Sequence, residues 1–433
     1  MTELELWGGH ECTVNRVGDA WLDQSRLSGH HDRIEDLDRF AALGLRALRY
    51  PVLWERTEVE RGRLDWRWSD GRLTRLRELN LRPVVGLVHH GSGPAWTGLL
   101  DPGFAEGLAR YAGEVARRYP GVDDWTPVNE PLTTARFSAL YGHWHPHARD
   151  EGAFWTALLN QIDAVRLAMR EVRRVNPQAR LIQTEDFGHT WSTAPCAAQA
   201  AHDNVRRLAT WDLLTGRFVP GHPLWLRLER LGLGARLDAI AEDPCPPDVI
   251  GLNHYVTSDR FLDHRLERYP APVHGGNGEI AYADVEAVRV LADYDSGWTR
   301  SLSELWSRYR LPVAVTECHL GCTPDQQRRW LAACWEAAGT ARRAGVDVRA
   351  VTVWALLGSH DWDSLLTRWR GSYEAGAFDV SRGAPRPTEL ADLVAALAAG
   401  RSASEEIEGW WESENRLLYP PCAGARPMSA SRH

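Results

Sequence analysis

Lysine is absent from the chain: across 433 residues, all 50 basic side chains are arginine. Schiff-base aldolase chemistry, pyridoxal-phosphate chemistry and a Walker-type phosphate loop each need a lysine amine, so all three are excluded. Long apolar runs are missing too; none reaches the ~18 residues that span a bilayer. Residues 1–11 are acidic and lack the charged-then-apolar layout of a secretory signal, so a cytoplasmic protein is expected. There the seven cysteines, an odd number, are expected to stay reduced. Cys318 and Cys322 lie close in sequence, but nothing beside them completes a zinc knuckle. Excess positive charge is lacking as well. A formal net charge of −8 argues against a nucleic-acid footprint and against polybasic contact with a membrane. No pattern calls for a cofactor or a metal, and none fixes an oligomeric state.

Tryptophan is abundant, with 21 copies. Flat indole rings suit the faces of sugars, and core packing explains them equally well. Hydrophobic content of 44% and charged content of 25% are those of an ordinary globular chain. Apolar, β-rich runs fall at residues 4–7, 47–53, 82–88, 124–128, 180–184, 248–253, 313–316 and 350–354. Amphipathic helical patterns lie between them, at 31–43, 70–79, 104–118, 152–175, 197–214, 298–309 and 325–344. Eight strands each followed by a helix make a parallel sheet, and at this length closure into a single (β/α)₈ barrel is the economical topology. One barrel over residues 1–400 is expected, with 401–433 as a tail that packs on it through Trp410 and Trp411 and then frays. Residues 259–295 are less periodic and read as an extended loop shaping the mouth of a pocket.

A barrel of this kind carries its chemistry at the C-terminal ends of the strands. Those ends are rich in polar residues here: Arg49 and Trp54, His89–His90, Asn129–Glu130, Glu185–Asp186, Asn253–His254–Tyr255, Thr316–Glu317, and Trp354 followed by His360–Asp361–Trp362. Carboxylates on the fourth and seventh strands face each other across such a mouth. A pair roughly 5–5.5 Å apart suits a retaining glycosidase and a wider pair an inverting one. One carboxyl must keep its proton and the other must stay ionised. Arg49 and Tyr255 are placed to hold the second ionised.

With these residues in place, the sequence resembles the family 1 glycoside hydrolases of β-glucosidase type, in a divergent bacterial branch of the clan with glutamates on strands four and seven. Residues 125–131 (WTPVNEP) resemble the acid/base motif, and 313–317 (VAVTE) the nucleophile motif. Residues 49–56 (RYPVLWER), 83–89 (PVVGLVH), 248–255 (DVIGLNHY) and 354–362 (WALLGSHDW) are similar to four further motifs, and 376–380 with Arg386 are similar to the family's segment beyond the last strand. Seven motifs occur in order, each at its strand end. The resemblance implies that Glu130 is the acid/base and Glu317 the nucleophile. It implies that Arg49 and Tyr255 tune Glu317, that Asn129 bonds the sugar 2-hydroxyl, and that Asn253 supports the same corner. His89, Asn15, Asp361 and Trp362 would bind glycone hydroxyls, with Trp354 as the stacking platform. The implied activity is hydrolysis of a small glycoside by double displacement. A biosynthetic transglycosidase and a catalytically silent carbohydrate-binding protein are the alternatives.

The chain departs from the family pattern at Cys318–His319, at the short Asn15 and Asp361, and at His90–Gly91–Ser92–Gly93, which leaves the sugar open. His143–Trp144–His145–Pro146–His147 could ligate zinc in principle but reads as the pocket rim. Glu185 reads as a paired strand-end acid rather than a third functional carboxylate. Residues 232–234 lack the strand and third glycine of a dinucleotide fingerprint.

Overall fold

The computed structural model describes residues 3–401 and 408–422. Eight strands form a closed, all-parallel barrel in sequence order. They are β1 (Glu5–Gly9), β2 (Ala47–Pro51), β3 (Arg82–His89), β4 (Asp124–Asn129), β5 (Arg180–Asp186), β6 (Val249–His254), β7 (Val313–Cys318) and β8 (Val348–Val353). All eight coincide with the predicted strands. Every residue of β2, β4, β6 and β7 is buried, because each strand has side chains in the barrel on one face and helices on the other.

The lower interior is a packed layer of Trp7, Ala47, Val84, Ile182, Val249, Ala314 and Ala350. β4 contributes Asp124 instead, the register partner of Val84. This fully buried carboxylate is held by Arg82 at 3.0 Å and Arg180 at 2.7 Å. Trp7 fills the volume its three alanine neighbours leave, so the barrel is a core below and a site above.

Helices Phe104–Arg118, Trp298–Tyr309 and Pro324–Arg343 match the predicted periodicity. The predicted helix over 197–214 is broken into Ala197–Arg206 and Ala209–Leu214. Three helices carried too little pattern to be read: Trp225–Arg230, Gly234–Glu242 and Glu389–Ala398.

The region 259–295 is a correction. In place of an extended loop it holds strands Arg260–Asp263, His274–Gly276 and Ala281–Glu286, which join Thr190–Ser192 in a four-stranded sheet. Strands of three to six residues give little alternation to detect. One of the pairings also reaches back about 70 residues, which a local pattern cannot show.

Within 408–422, Trp411 is buried edge-on against Trp330 at 4.9 Å, and the Arg289 guanidinium lies 4.1 Å over Trp410. The expected fraying of the chain end, 423–433, lies outside the described residues.

Candidate active site

Glu317 is reached through a bulge. On β7 two residues advance from Val315 to Glu317 while β6 advances one, from Leu252 to Asn253. Such an irregularity re-aims side chains. It turns the Thr316 carbonyl toward Arg49, whose Nη1 donates to it at 2.8 Å. The same Nη1 donates to Glu317 Oε1 at 2.6 Å, and Nη2 donates to Asn129 Oδ1 at 2.6 Å. Tyr255 donates its hydroxyl to Glu317 Oε2. Both oxygens of Glu317 are therefore held, from β2 on one side and from the end of β6 on the other.

Glu130 follows β4 in a left-handed conformation, φ 45° and ψ 64°, and opens the short helix Pro131–Ala135. A non-glycine residue there is strained, and such strain persists only when the surroundings over-determine it. The surroundings include Glu185. Its Oε2 accepts from Leu132 N at 2.8 Å and from the Thr210 hydroxyl at 2.7 Å, and its Oε1 accepts from Thr133 N at 3.2 Å. A buried carboxylate thus satisfies the free N–H groups of the helix that begins at Glu130. Asn253 Nδ2 donates to Glu130 Oε1 at 2.6 Å, and Asn253 Oδ1 accepts from the Thr316 hydroxyl at 2.6 Å. Asn253 is also the register partner of Glu317, so one amide ties both glutamates to a single corner.

The two carboxyl groups differ in proton affinity. Burial pushes Glu130 well above the ordinary carboxylate range, helped by the charges of Glu317, Asp186 and Glu185; the Asn253 bond opposes it. Burial also raises Glu317, but there Arg49 and Tyr255 pull the other way. The partners on Glu317 oppose burial without overturning it. Of the pair, Glu130 is the group that keeps a proton, and Glu317 the one stabilised as an anion.

Asn129 has every polar atom engaged. Besides Arg49, its Oδ1 accepts from Thr184 Oγ1 at 2.8 Å. Its Nδ2 donates to Nε2 of both His89 and His90 at 3.3 Å. Accepting at Nε2 requires the Nδ1–H tautomer, and His90 Nδ1 donates to Thr134 Oγ1 at 3.1 Å. Burial, with help from Arg49, lowers His90 to about 3, so it is neutral. Trp354 is 4% exposed, parallel to the His89 ring at 5.4 Å and beneath the Arg49 guanidinium at 4.8 Å. Gly9 lies against the edge of that indole, where a Cβ would come within 2.2 Å. Arg49, His89, Asn129 and Trp354 also border a void of about 20 Å³ inside the barrel, room for one water.

Asn15, on the strand Val14–Val17, is buried, and neither side-chain polar atom has a partner within the protein. Trp362 packs on His90 at 5.4 Å, and its indole N–H is likewise unpartnered. Asp361 is brought in differently from the expectation of a sugar ligand. Its carboxylate accepts from the backbone N–H groups of Arg370 at 3.1 Å, Gly371 at 3.2 Å and Ser372 at 2.9 Å. These bonds organise the loop after β8.

His147 is fixed at both ring nitrogens, accepting from Gly18 N at 2.9 Å and donating to Gly142 O at 3.0 Å. It pins the rim loop to the first hairpin. No group of three or more potential metal ligands occurs among the described residues.

Three residues near the site were given no role in the sequence reading. Glu11 is a third buried carboxyl, hydrogen-bonded to Trp354 and Thr13 and raised by burial. It follows the end of β1, so the strand-end rule applied to β1 would have found it. His90 was visible only as the neighbour of His89. His319 donates Nδ1–H to Trp354 O at 2.9 Å, and its Nε2 lies 2.5 Å from Glu374. Burial lowers its proton affinity, but the Glu374 charge outweighs that and leaves it raised.

No family model matches the chain. Curated relatives include a phospho-cellobiase from Klebsiella oxytoca, 24% identical over 340 residues that cover 71% of this chain and 69% of that protein. A 6-phospho-beta-glucosidase from Dickeya chrysanthemi is 23% identical over 385 residues, 79% of each chain. Among solved structures, a family 1 b-glucosidase from Thermotoga maritima superposes with a TM-score of 0.72 at 19% identity, covering 93% of this chain and 99% of that one. The AHE enzyme from Alicyclobacillus herbarius gives 0.72 at 21% identity over 90% of each chain. The structural likeness is one of fold. The names of the curated relatives are of the β-glucosidase type to which the motifs pointed.

Proposed function

We propose that this chain is a glycoside hydrolase of β-glucosidase type that works by double displacement with retention. The observation that carries the reading is the buried network in which Asn253 joins Glu130 to the strand position of Glu317, while Arg49 and Tyr255 hold only Glu317. It gives two carboxyl groups in one corner with unequal proton affinity, as acid and nucleophile must have. The curated relatives of β-glucosidase type support the same class.

In the first step a Glu317 oxygen attacks the anomeric carbon. The bond from that carbon to the leaving oxygen breaks, and the proton of Glu130 moves to that oxygen. In the second step Glu130, now ionised, takes a proton from water, whose oxygen attacks the anomeric carbon and releases Glu317. Asn129 Nδ2, whose bonds to His89 and His90 are long at 3.3 Å, is the group that would give up a histidine partner for the sugar 2-hydroxyl. Asn15, His89 and Trp362 border the glycone, and the hydrogen-bonding capacity that Asn15 and Trp362 leave unmet supports that placement. Trp354 presents the ring beneath the sugar. The barrel is the catalytic unit, with residues 408–422 packed on it.

An activated 2-deoxy-2-fluoro glycoside tests the proposal. A covalent adduct mapped to Glu317 by peptide mass is expected. A panel of fluoro sugars that gives neither adduct nor turnover overturns it.

A further inference from the structure

The ladder between β7 and β8 ends just past Glu317. Cys318 and Val353 are its last register pair, and Trp354 N donates to Cys318 O at 3.3 Å. The next link across is made by a side chain: His319 Nδ1 donates to Trp354 O at 2.9 Å. The other ring nitrogen, Nε2, lies 2.5 Å from Glu374 Oε1. Glu374 belongs to the hairpin in which Ser359–His360 pairs with Tyr373–Glu374, and Asp361 N continues that pairing by donating to Ser372 O at 2.8 Å. Trp362 follows directly. Gln327, on the helix Pro324–Arg343, donates Nε2 to the same carboxylate at 3.2 Å and to Ala375 O at 2.8 Å. One imidazole thus joins the strand of Glu317, the backbone of Trp354 and the hairpin that presents Trp362.

Both partners of the ring are acceptors. A backbone carbonyl has no proton to give. A proton shared between a carboxylate and an imidazole resides on the imidazole, because their ordinary pKa values are about 4.3 and about 6.5. A neutral ring carries one N–H and satisfies one of the two partners. This geometry uses two N–H groups, and a ring with both is a cation. The groups that face it are Glu374 from the hairpin, Glu11 from the segment after β1, Tyr255 from the end of β6 with its ring 6.0 Å away, and Glu317 two positions earlier in the chain. Burial lowers the proton affinity of His319, and the charges of Glu374 and Glu11 raise it past the ordinary value. The side chains of the pair are 11% and 27% exposed, so water screens it only in part.

We infer that His319 is a positioning residue that acts as an imidazolium: its two N–H groups fix Trp354 and the hairpin of Trp362 relative to Glu317, and so set how tightly the glycone is held. The inference rests on the glycosidase reading above. Loss of one proton leaves one N–H for two acceptors, so either Trp354 O or Glu374 goes unpaired and the floor of the site loosens. The cation is present below the raised pKa of the ring and is lost as pH rises through it. Glycone binding therefore weakens on the alkaline side. His319 touches no reacting atom, so the effect falls on KM before kcat.

Imidazole nitrogen NMR on the ¹⁵N-labelled chain reads the ring directly, with the His319 signals assigned by their loss in His319→Gln. Both ring nitrogens are expected to be protonated at pH 6 and at pH 7. A ring with a bare nitrogen at pH 6 overturns the inference, whether or not a glycoside is turned over. The second measurement is KM from pH 6 to pH 9 on an alkyl β-glycoside, for which formation of the glycosyl-enzyme is slow and KM approaches the dissociation constant. His319→Gln, with one amide donor for two acceptors, should raise KM about tenfold at pH 6, the equivalent of one hydrogen bond, and change kcat less. It should also flatten the rise of KM with pH. Glu374→Gln should flatten that rise too, because its amide donates to a neutral ring whose Nδ1–H stays on Trp354 O, while Gln327 keeps the carbonyls of Cys322 and Ala375. Its KM should lie nearer the wild-type value than that of His319→Gln, an order that a general loss of folding does not produce. A rise of KM with pH that persists in both variants overturns the positioning role. A wild type that turns over no glycoside and forms no fluoro-sugar adduct overturns the glycosidase reading itself, and the NMR result separates the two failures.

Discussion

Arg49 and Glu317 form an ion pair at 2.6 Å in which the two side chains are 6% and 2% exposed. Almost no water screens it, and the same guanidinium holds Asn129 Oδ1 and the Thr316 carbonyl. Breaking one side of such a pair leaves an unpaired buried charge, which costs about 3–5 kcal/mol. Arg49→Leu should lower the unfolding free energy by an amount in that range and cut kcat/KM by about 100- to 1,000-fold. Arg49→Lys should not restore activity, since one ammonium cannot reach three acceptors in a planar fork. Denaturant unfolding with parallel kinetics checks this; Arg49→Lys at wild-type activity would contradict it.

Glu130→Gln and Glu317→Gln should separate by leaving group. Without its acid, Glu130→Gln should lose most of its rate on alkyl glycosides and much less on dinitrophenyl glycosides. Glu317→Gln should lose all substrates alike, because no ester can form. Equal losses across leaving groups in both variants would remove the assignment of roles.

The rate should follow a bell in pH, displaced upward from ordinary carboxylates. Activity needs Glu317 ionised and Glu130 protonated. Burial raises both, and Glu130 further. The acid limb therefore reports protonation of Glu317, and the alkaline limb loss of the proton from Glu130. A kcat/KM profile whose alkaline limb falls below pH 5 would be inconsistent with this.

Glu55 gives a separate pH dependence, of stability. It is buried, its Oε1 accepts from Gly93 N at 3.0 Å, and its Oε2 has no partner. Burial pushes it from an ordinary 4.5 to about 7. The folded protein thus binds this proton more tightly than the unfolded chain. The contribution is full below pH 4.5 and is lost as pH rises through 7, by about 3 kcal/mol. Glu185 lies in the same window, so the wild type is compared with Glu55→Gln. The variant should lose distinctly less stability between pH 5 and pH 8, read from unfolding midpoints. Parallel curves would refute the assignment.

Glu185 joins stability to catalysis. Glu185→Gln would turn an amide N–H₂ toward the N–H groups of Leu132 or Thr133, leaving a buried donor unmet at about 1–3 kcal/mol. Because that helix fixes the left-handed Glu130, kcat should fall although Glu185 touches no reacting atom. A stability loss with unchanged kcat would limit Glu185 to a structural role.

The barrel was legible because a parallel strand buried on both faces must be a continuous apolar run, and 313–316 or 82–88 can hardly be anything else. The proposal of Glu130 and Glu317 could be made from the sequence because strand ends carry the chemistry and each lies in a motif. The small sheet around Tyr282 was not legible, since its strands are short and one pairs with residues 190–192. The backbone partners of Asp361, Arg370 to Ser372, were illegible for a related reason, since they depend on how the loop closes.

The order of residues along the chain determined the element sequence, the closure of the barrel and which acidic side chains end its strands, because these follow from local periodicity. Tertiary structure alone decided that Asn253 links Glu130 to Thr316, the neighbour of Glu317, and that Glu185 caps the helix of Glu130. Each of those joins groups tens to hundreds of residues apart. Their energies depend on burial and on distances of a few tenths of an ångström, which no local pattern records.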